Sequence, residues 1–574
     1  MISVRQDHAA AGSAVATRDV GNLYRLAFFL AAILAGLLQA WAHGHEMNPD
    51  GISYIELGWA ATHSGLHALV NGYWSPLYPF LLSVFFRIFH PSPANEFVAV
   101  HFFNFVLFLL SAAAFDFFLS EILRAQRAAA EGGSSGAPIS ASTIRLAGYV
   151  LFLWSAQFWL GTATVSPDLL VSAAAFCATG LLLRIRQSSG ILHFALLGAV
   201  VGLGYLAKSA MFPLAFVFLL AAFVLARRAQ QPAATVALRT AVAAFAFAAI
   251  ALPYVAALSA QKGRATFGDV GRIAYAELVD GATRSVHWQG QPAGTGTPVH
   301  PTRPIFHDPA MYEFALPVGG SYPPWYDPSY WYEGIRAHFS VTGQAKALLR
   351  SANMYLKLFS RSGALWVSFL LLLIFRGNLR WGRFEKGAWW VIAPSFAALA
   401  MYSLVLVEFR YVAPFVLILM IWLIAKLRLP ERATQRDLLR VRVALLAAPA
   451  VTLAFGVARD RVWTMHEHLD ENWAVAQYLD GAGLGGAKLG YIGTGLDAYW
   501  AHLAGARIVA ELPEGEVSRF AGADSARKRE ALERFRESGA EALLTRSAAA
   551  KAAGEGWEAI AGTRYFVLKL RPGR

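Results

Sequence analysis

Apolar runs of membrane-spanning length recur along this chain, and they constrain its fold more than any other feature. They fall near residues 24–42, 97–123, 146–163, 167–183, 191–207, 210–226, 237–259, 363–375, 388–407, 411–427 and 441–457. A helix rises about 1.5 Å per residue, so roughly 17–25 apolar residues cross the hydrocarbon core of a bilayer. In lipid the backbone must satisfy its own hydrogen bonds, and a helix does so within one segment. The pattern therefore reads as a polytopic α-helical membrane protein with about 11–12 transmembrane helices. The composition agrees, with 56% hydrophobic and only 15% charged residues, where soluble domains carry about 25% charged.

A net charge of +13 would suggest a nucleic-acid partner in a soluble protein. Here the arginines gather in short loops between apolar runs, as the positive-inside rule requires. The tail 1–23 and the loops 124–145, 184–190, 227–239, 376–386 and 426–442 then face the cytoplasm. Alternation puts the loop 43–75, the turn around Ser166–Asp168, the long loop 260–350, the turn "EFRY" and the C-terminal region outside. One crossing is left between 43–75 and 124–145, yet two apolar stretches are available. The shorter, 76–90, is bracketed by Pro76, Pro79, Pro91 and Pro93 and is assigned as a re-entrant or outer-leaflet helix. The first run is an uncleaved anchor, although "AWA" at 40–42 resembles a signal-peptidase site. Cys177, alone in an apolar run, has no intrachain partner for a disulfide.

From about residue 458 the composition becomes that of a soluble unit. Helix-like and strand-like segments alternate through 458–574, which predicts a small extracytoplasmic α/β domain beside the transmembrane part, 24–457. Its "GAGLGG" and "GTGLDA" echo a dinucleotide fingerprint but read as turns. The loop 260–350 is too long for a simple connector. Its His287, His300 and His307 lack tight metal-ligand spacing, so no cofactor is assigned, although a divalent metal remains open. Its aromatic cluster from Tyr322 to Tyr332 reads as a loop core or as a platform for sugar faces.

Four charged residues from separate parts of the chain fall at one predicted membrane face. Asp50 follows the first span, with Tyr54 one helical turn on; it reads as a helix N-cap or as a general base. Ile52, Ile55 and Trp59 suit a lipid-facing or interfacial side of that helix. Asp168 reads as a helix-start cap or as a residue that orients Lys208 or the substrate. Lys208 is an interfacial lysine or a phosphate ligand. Arg410 pairs with Glu408 or supplies a second phosphate contact. Asp116, inside an apolar run, faces the bundle interior or the inner end, without a catalytic role.

These motifs resemble those of the glycosyltransferase-C superfold, in the branch of protein O-mannosyltransferases and bacterial aminoarabinose-to-lipid A transferases. The likeness rests on Asp50 with Tyr54, "YWSPLYPFLL", "SPDLL", "YLAKSAMFP" and "EFRYVAP", and covers roughly residues 20–430. It implies an inverting transfer from a polyprenyl-phosphate-linked sugar to a lipid, glycan or protein hydroxyl. Asp50 would be the base, Lys208 and Arg410 the phosphate ligands, and Tyr54, Trp74, Asp168 and Tyr411 the pocket. It also implies a bacterial inner (plasma) membrane location with the site facing the periplasm. Two departures stand out: Ser75-Pro76 where many relatives have Lys-Pro, and Asp50-Gly51 where many have Asp-Glu, with Glu56 as a possible substitute acid. Two other readings are a transporter or flippase, which a paired repeat would favour, and an envelope assembly scaffold acting through 458–574.

Overall fold

The computed structural model describes residues 2–131, 137–161, 163–282, 285–314, 319–360, 362–374, 380–381, 387–429, 434–464, 471–552 and 556–570. Most of the basic segment 376–386 and part of the loop 124–145 therefore lie outside the described residues.

The chain is a polytopic helical bundle. The first half contributes α1 (Ile2–Ala42), α2 (Pro49–Ser64), α3 (Leu77–Phe89), α4 (Glu96–Glu131), α5 (Ala141–Ser155), α6 (Asp168–Gln187), α7 (Ile191–Ala207), α8 (Met211–Arg228) and α9 (Ala233–Lys262). The second adds α10 (Val341–Ser360), α11 (Gly363–Ile374), α12 (Ala393–Ser403), α13 (Phe409–Lys426) and α14 (Gln435–Thr464). Among the described residues, seven segments are long and apolar enough to cross a membrane, in α1, α4, α6, α8, α9, α13 and α14, and three shorter apolar helices accompany them. α4 packs along α6 and α7 along α9. The second contact needs Gly198, where a Cβ would come within 2.0 Å of the Ala243 carbonyl oxygen; small residues let membrane helices approach this closely. Asp116 is buried in the bundle, where it pairs with Arg25 and accepts from the Tyr149 hydroxyl at 2.6 Å.

α3 is the short element. Its 13 residues extend about 20 Å, roughly two-thirds of a hydrocarbon core. Pro76 stands at its start, and His90, at φ 44° in the left-handed region, closes it.

α10 differs from expectation. Residues 341–350 belong to a helix rather than to the long loop. Its apolar residues form no continuous run: Leu348, Leu349, Leu356 and Phe359 are exposed along one stripe, beside Lys346, Arg350 and Lys357. A hydropathy scan averages such a helix away.

Among the described residues, the long loop and the C-terminal region together form a seven-stranded sheet of β1 (Arg303–His307), β2 (Ala310–Glu313), β3 (Lys488–Gly493), β4 (Arg507–Pro513), β5 (Ala542–Thr545), β6 (Glu558–Ala559) and β7 (Phe566–Lys569), in the order β1-β2-β4-β3-β5-β7-β6. β4, β3 and β5 run parallel, and the flanking strands are antiparallel. β1 and β2 come from the long loop. They join the sheet through β2 and β4, with Tyr312 opposite Glu511 and Glu313 opposite Ala510.

Candidate active site

Local sequence places each charged residue at a helix end. Asn48 occupies the N-cap position of α2, with Pro49 in the first turn, where its fixed φ suits a helix start. The Asn48 side chain does not cap the helix. Its Nδ2 donates to the Val165 carbonyl at 3.2 Å, and its Oδ1 accepts from the Val165 N–H at 2.9 Å. This two-way tether fixes the start of α2 against the turn that leads into α6. Asp50 lies one residue inside α2, so it is not the cap; a carboxylate is favoured in that first turn by the helix dipole. Pro167 stands at the cap position of α6 and Asp168 is its first residue. Lys208 ends α7, where its N–H donates to the Gly204 carbonyl at 2.9 Å. Arg410 lies in the first turn of α13, just after Glu408.

The structure brings all four together. Lys208 Nζ donates to Asp168 Oδ1 at 2.6 Å. Arg410 donates from Nη2 to Asp50 Oδ2 at 3.0 Å, and its Nε lies 3.5 Å from Asp168 Oδ2. Arg410 thus pairs across the bundle, not with Glu408. Asp168 is buried and also accepts from Ser166 Oγ at 3.0 Å. Asp50 is the open member, its side chain 38% exposed. Tyr411 underlies both cations: Lys208 Nζ sits 3.3 Å from its ring centroid, and its hydroxyl accepts from Arg410 Nη2 at 3.4 Å. Such cation–π contacts hold a lysine that has given up part of its hydration.

Tyr54 is buried beside this cluster, edge-on to Trp74 at 5.0 Å and to Tyr78 at 5.1 Å. Burial first, then the charges of Asp50 and Asp168, hold its hydroxyl well above the usual phenol range, so it stays neutral. Trp74 turns the other way. Its indole N–H donates to the Trp325 carbonyl at 2.9 Å, so it braces the long loop and reaches the charges only through Tyr54. Ile52 and Ile55 are buried, not lipid-facing, and Trp59 donates to Glu96.

Sequence reasoning gave no role to Ser75. Its Oγ accepts from the Ser209 N–H at 3.0 Å, so it anchors the turn immediately after Lys208. Glu56 does not stand in as a second acid. Six residues beyond Asp50 it points to another side of α2, where it accepts from the Ser321 N–H at 2.8 Å and lies 3.4 Å from His502 Nδ1. His502 Nε2 meets Glu96 at 2.6 Å. Between two carboxylates, His502 titrates at about 10, since their attraction outweighs its burial.

An apolar groove of about 370 Å³ opens next to the cluster. Leu170, Ala173, Ala174 and Cys177 of α6 form one wall, and Leu203 and Gly204 of α7 another. Gly204 lies one turn before Lys208 and Leu170 two residues after Asp168, so the groove ends beneath the charges.

The loop histidines are dispersed. His287 pairs with Glu511 at 3.2 Å, and His300 pairs with Glu333 at 3.3 Å and stacks on Tyr330. Among the described residues no group of three or more His, Cys, Asp or Glu side chains is arranged to hold a metal ion. The aromatic cluster forms loop core: Tyr322, Trp331 and Tyr332 are buried. The two glycine-rich tail segments are turns around β3.

No protein-family model and no curated protein sequence matches the chain. Solved structures do. A crystal structure of ArnT from Cupriavidus metallidurans in the apo state aligns over 94% of this chain and 98% of that one, at 13% identity and a TM-score of 0.50. The same protein bound to undecaprenyl phosphate aligns over 95% and 98%, also at 13% identity, with a TM-score of 0.52. An archaeal oligosaccharyltransferase, AglB from Archaeoglobus fulgidus, aligns over 91% of this chain and 70% of that one at 13% identity, with a TM-score of 0.46. The two ArnT alignments show that the chain shares the glycosyltransferase-C-like fold that its motifs resemble.

Proposed function

We propose that this protein is a membrane glycosyltransferase that moves a sugar from a polyprenyl-phosphate donor to an acceptor hydroxyl. The observation that carries the reading is the apolar groove ending beneath a cluster of two carboxylates and two cations. A donor of this class has an apolar chain, a phosphate and a sugar in series, and the groove and the charges are in matching order. The undecaprenyl phosphate bound by ArnT from C. metallidurans supports the same donor class.

The charges suggest how transfer proceeds. Asp50, Asp168, Lys208 and Arg410 sum to zero. When the donor phosphate arrives, it competes with Asp50 for Arg410, and the freed carboxylate becomes a stronger base. Asp50 takes the proton of the acceptor hydroxyl. The oxygen attacks the anomeric carbon from the face opposite the phosphate, and the bond from that carbon to the phosphate oxygen breaks with inversion. The electron pair leaves on the phosphate, which gains one negative charge as Asp50 loses one. Lys208 and Arg410 then face a phosphate of higher charge than the one they bound, so they favour the transition state over the ground state. Asp168 and Tyr411 hold the two cations in place, and neutral Tyr54 keeps water from the base. We assign the protein to the bacterial inner membrane with this site facing the periplasm, where a lipid, glycan or protein supplies the hydroxyl.

Purified full-length protein, given polyprenyl-phosphate sugars and envelope extracts, should release polyprenyl phosphate and form a glycosylated product detectable by mass spectrometry. Transfer that is unchanged in Asp50→Asn would remove the assigned base.

A further inference from the structure

The far ends of the helices that carry the ion cluster hold a second charged feature. α6 runs from Asp168 to Gln187 and α13 from Phe409 to Lys426. Arg186 and Lys426 therefore lie roughly 25 Å along their helices from Asp168 and Arg410, close to the thickness of a hydrocarbon core. A small cleft of about 30 Å³, partly open to solvent, lies at that end. Arg186, Lys426 and Arg428 supply its charge, and Ile122, Leu183 and Trp422 its apolar wall.

Three cations in one cleft repel one another and have lost part of their hydration. Among the described residues no Asp or Glu lines the cleft. Glu121, on the neighbouring α4, is held by Arg124 and Arg184 at 2.8 Å each. Arg428 is only 4% exposed. Its Nη1 donates to the Ala425 and Leu427 carbonyls at 3.1 Å each, while its buried Nε has no partner among the described residues. Lys426 Nζ lies 5.7 Å from the Trp422 ring centroid, which offsets only part of a lost hydration shell. A buried guanidinium with an unused N–H is costly unless an anion meets it.

We propose that this cleft binds a phosphate group carried on an apolar chain, at the membrane face opposite the ion cluster. The guanidinium and ammonium groups suit phosphate oxygens. The wall of Ile122, Leu183 and Trp422 suits the first methylenes of the chain, and basic pockets between membrane helices take anionic lipid headgroups in this way. The site is independent of the transfer chemistry proposed above.

The test is native mass spectrometry of the full-length protein from nanodiscs of phosphatidylglycerol or phosphatidylcholine, with thermal shift by inorganic phosphate as a parallel arm. Lys426→Gln is the main variant, Arg186→Gln the second, and Arg227→Gln, outside the cleft, the control. Phosphatidylglycerol adducts should survive on the wild type and on the control, and fall about tenfold in Lys426→Gln and Arg186→Gln. A shift with inorganic phosphate alone, lost in the same variants, would keep the phosphate site but make its source soluble. Equal adducts in wild type and both cleft variants, each eluting and melting as folded protein, would overturn the proposal. So would equal retention of both lipids with no phosphate shift.

Discussion

Arg410 donates to Asp50 at 3.0 Å and lies 3.5 Å from Asp168, so one guanidinium ties the first turn of α2 to the first turn of α6. The exposed carboxylate is restrained until something else claims the cation, and that relationship decides how substitutions there behave.

Asp50→Asn keeps the shape and a hydrogen-bond acceptor for Arg410 but removes the base. Transfer should fall about 10²–10⁴-fold with donor binding nearly unchanged. Single-turnover transfer, set beside binding of labelled donor, separates the two effects.

Lys208→Met leaves Asp168 buried with one cation fewer. Breaking a buried pair from one side costs about 3–5 kcal/mol. The double variant Lys208→Met, Asp168→Asn should recover much of the lost melting temperature in detergent while staying inactive. A double variant no more stable than the single one would mean that the pair does not hold α6 to α7.

Ser75→Ala removes the acceptor of the Ser209 N–H. We expect a cost of about 1 kcal/mol and a higher KM for donor, with kcat less affected, because the turn beside Lys208 loosens. Steady-state kinetics at varied donor concentration reads this directly.

Ala173→Phe fills the groove without touching a charge. Long-chain donors should lose about tenfold or more in kcat/KM, and short-chain analogues much less. An equal loss for both would place the chain elsewhere.

His502 joins the sheet domain to α2 and α4 through Glu56 and Glu96. Its pKa is raised from 6.5 in the unfolded chain to about 10. The folded state holds the proton more tightly, so this contribution is complete below pH 6.5 and is lost as pH rises towards 10. Melting temperature should drop across that window in the wild type, and His502→Gln should flatten that part of the curve.

Much of the bundle was legible because each apolar run maps to a helix, and runs of that length have few other folds. The ion cluster was legible only as four residues at one face; that Arg410 bridges both carboxylates follows from the Asn48–Val165 tether, which no local pattern reveals. Glu56 was misplaced because a position six residues along a helix turns away from its starting face, towards a domain whose docking depends on His502, far away in sequence. The hairpin of β1 and β2 is built from "RPIFH" and "AMYE", segments too short for an alternation signal and stable only beside a partner strand.

That partner is made late. Tyr312 pairs with Glu511, so the hairpin cannot take its place until the chain has been synthesised well past residue 500. Until then β2 has an open edge, which is the part of a sheet most prone to pair with the wrong chain. Deleting residues 460–574 would leave that edge permanently unsatisfied, and a truncated protein would report the failure of its own long loop as much as the absence of the tail. The order of synthesis therefore makes docking of the long loop wait for β4.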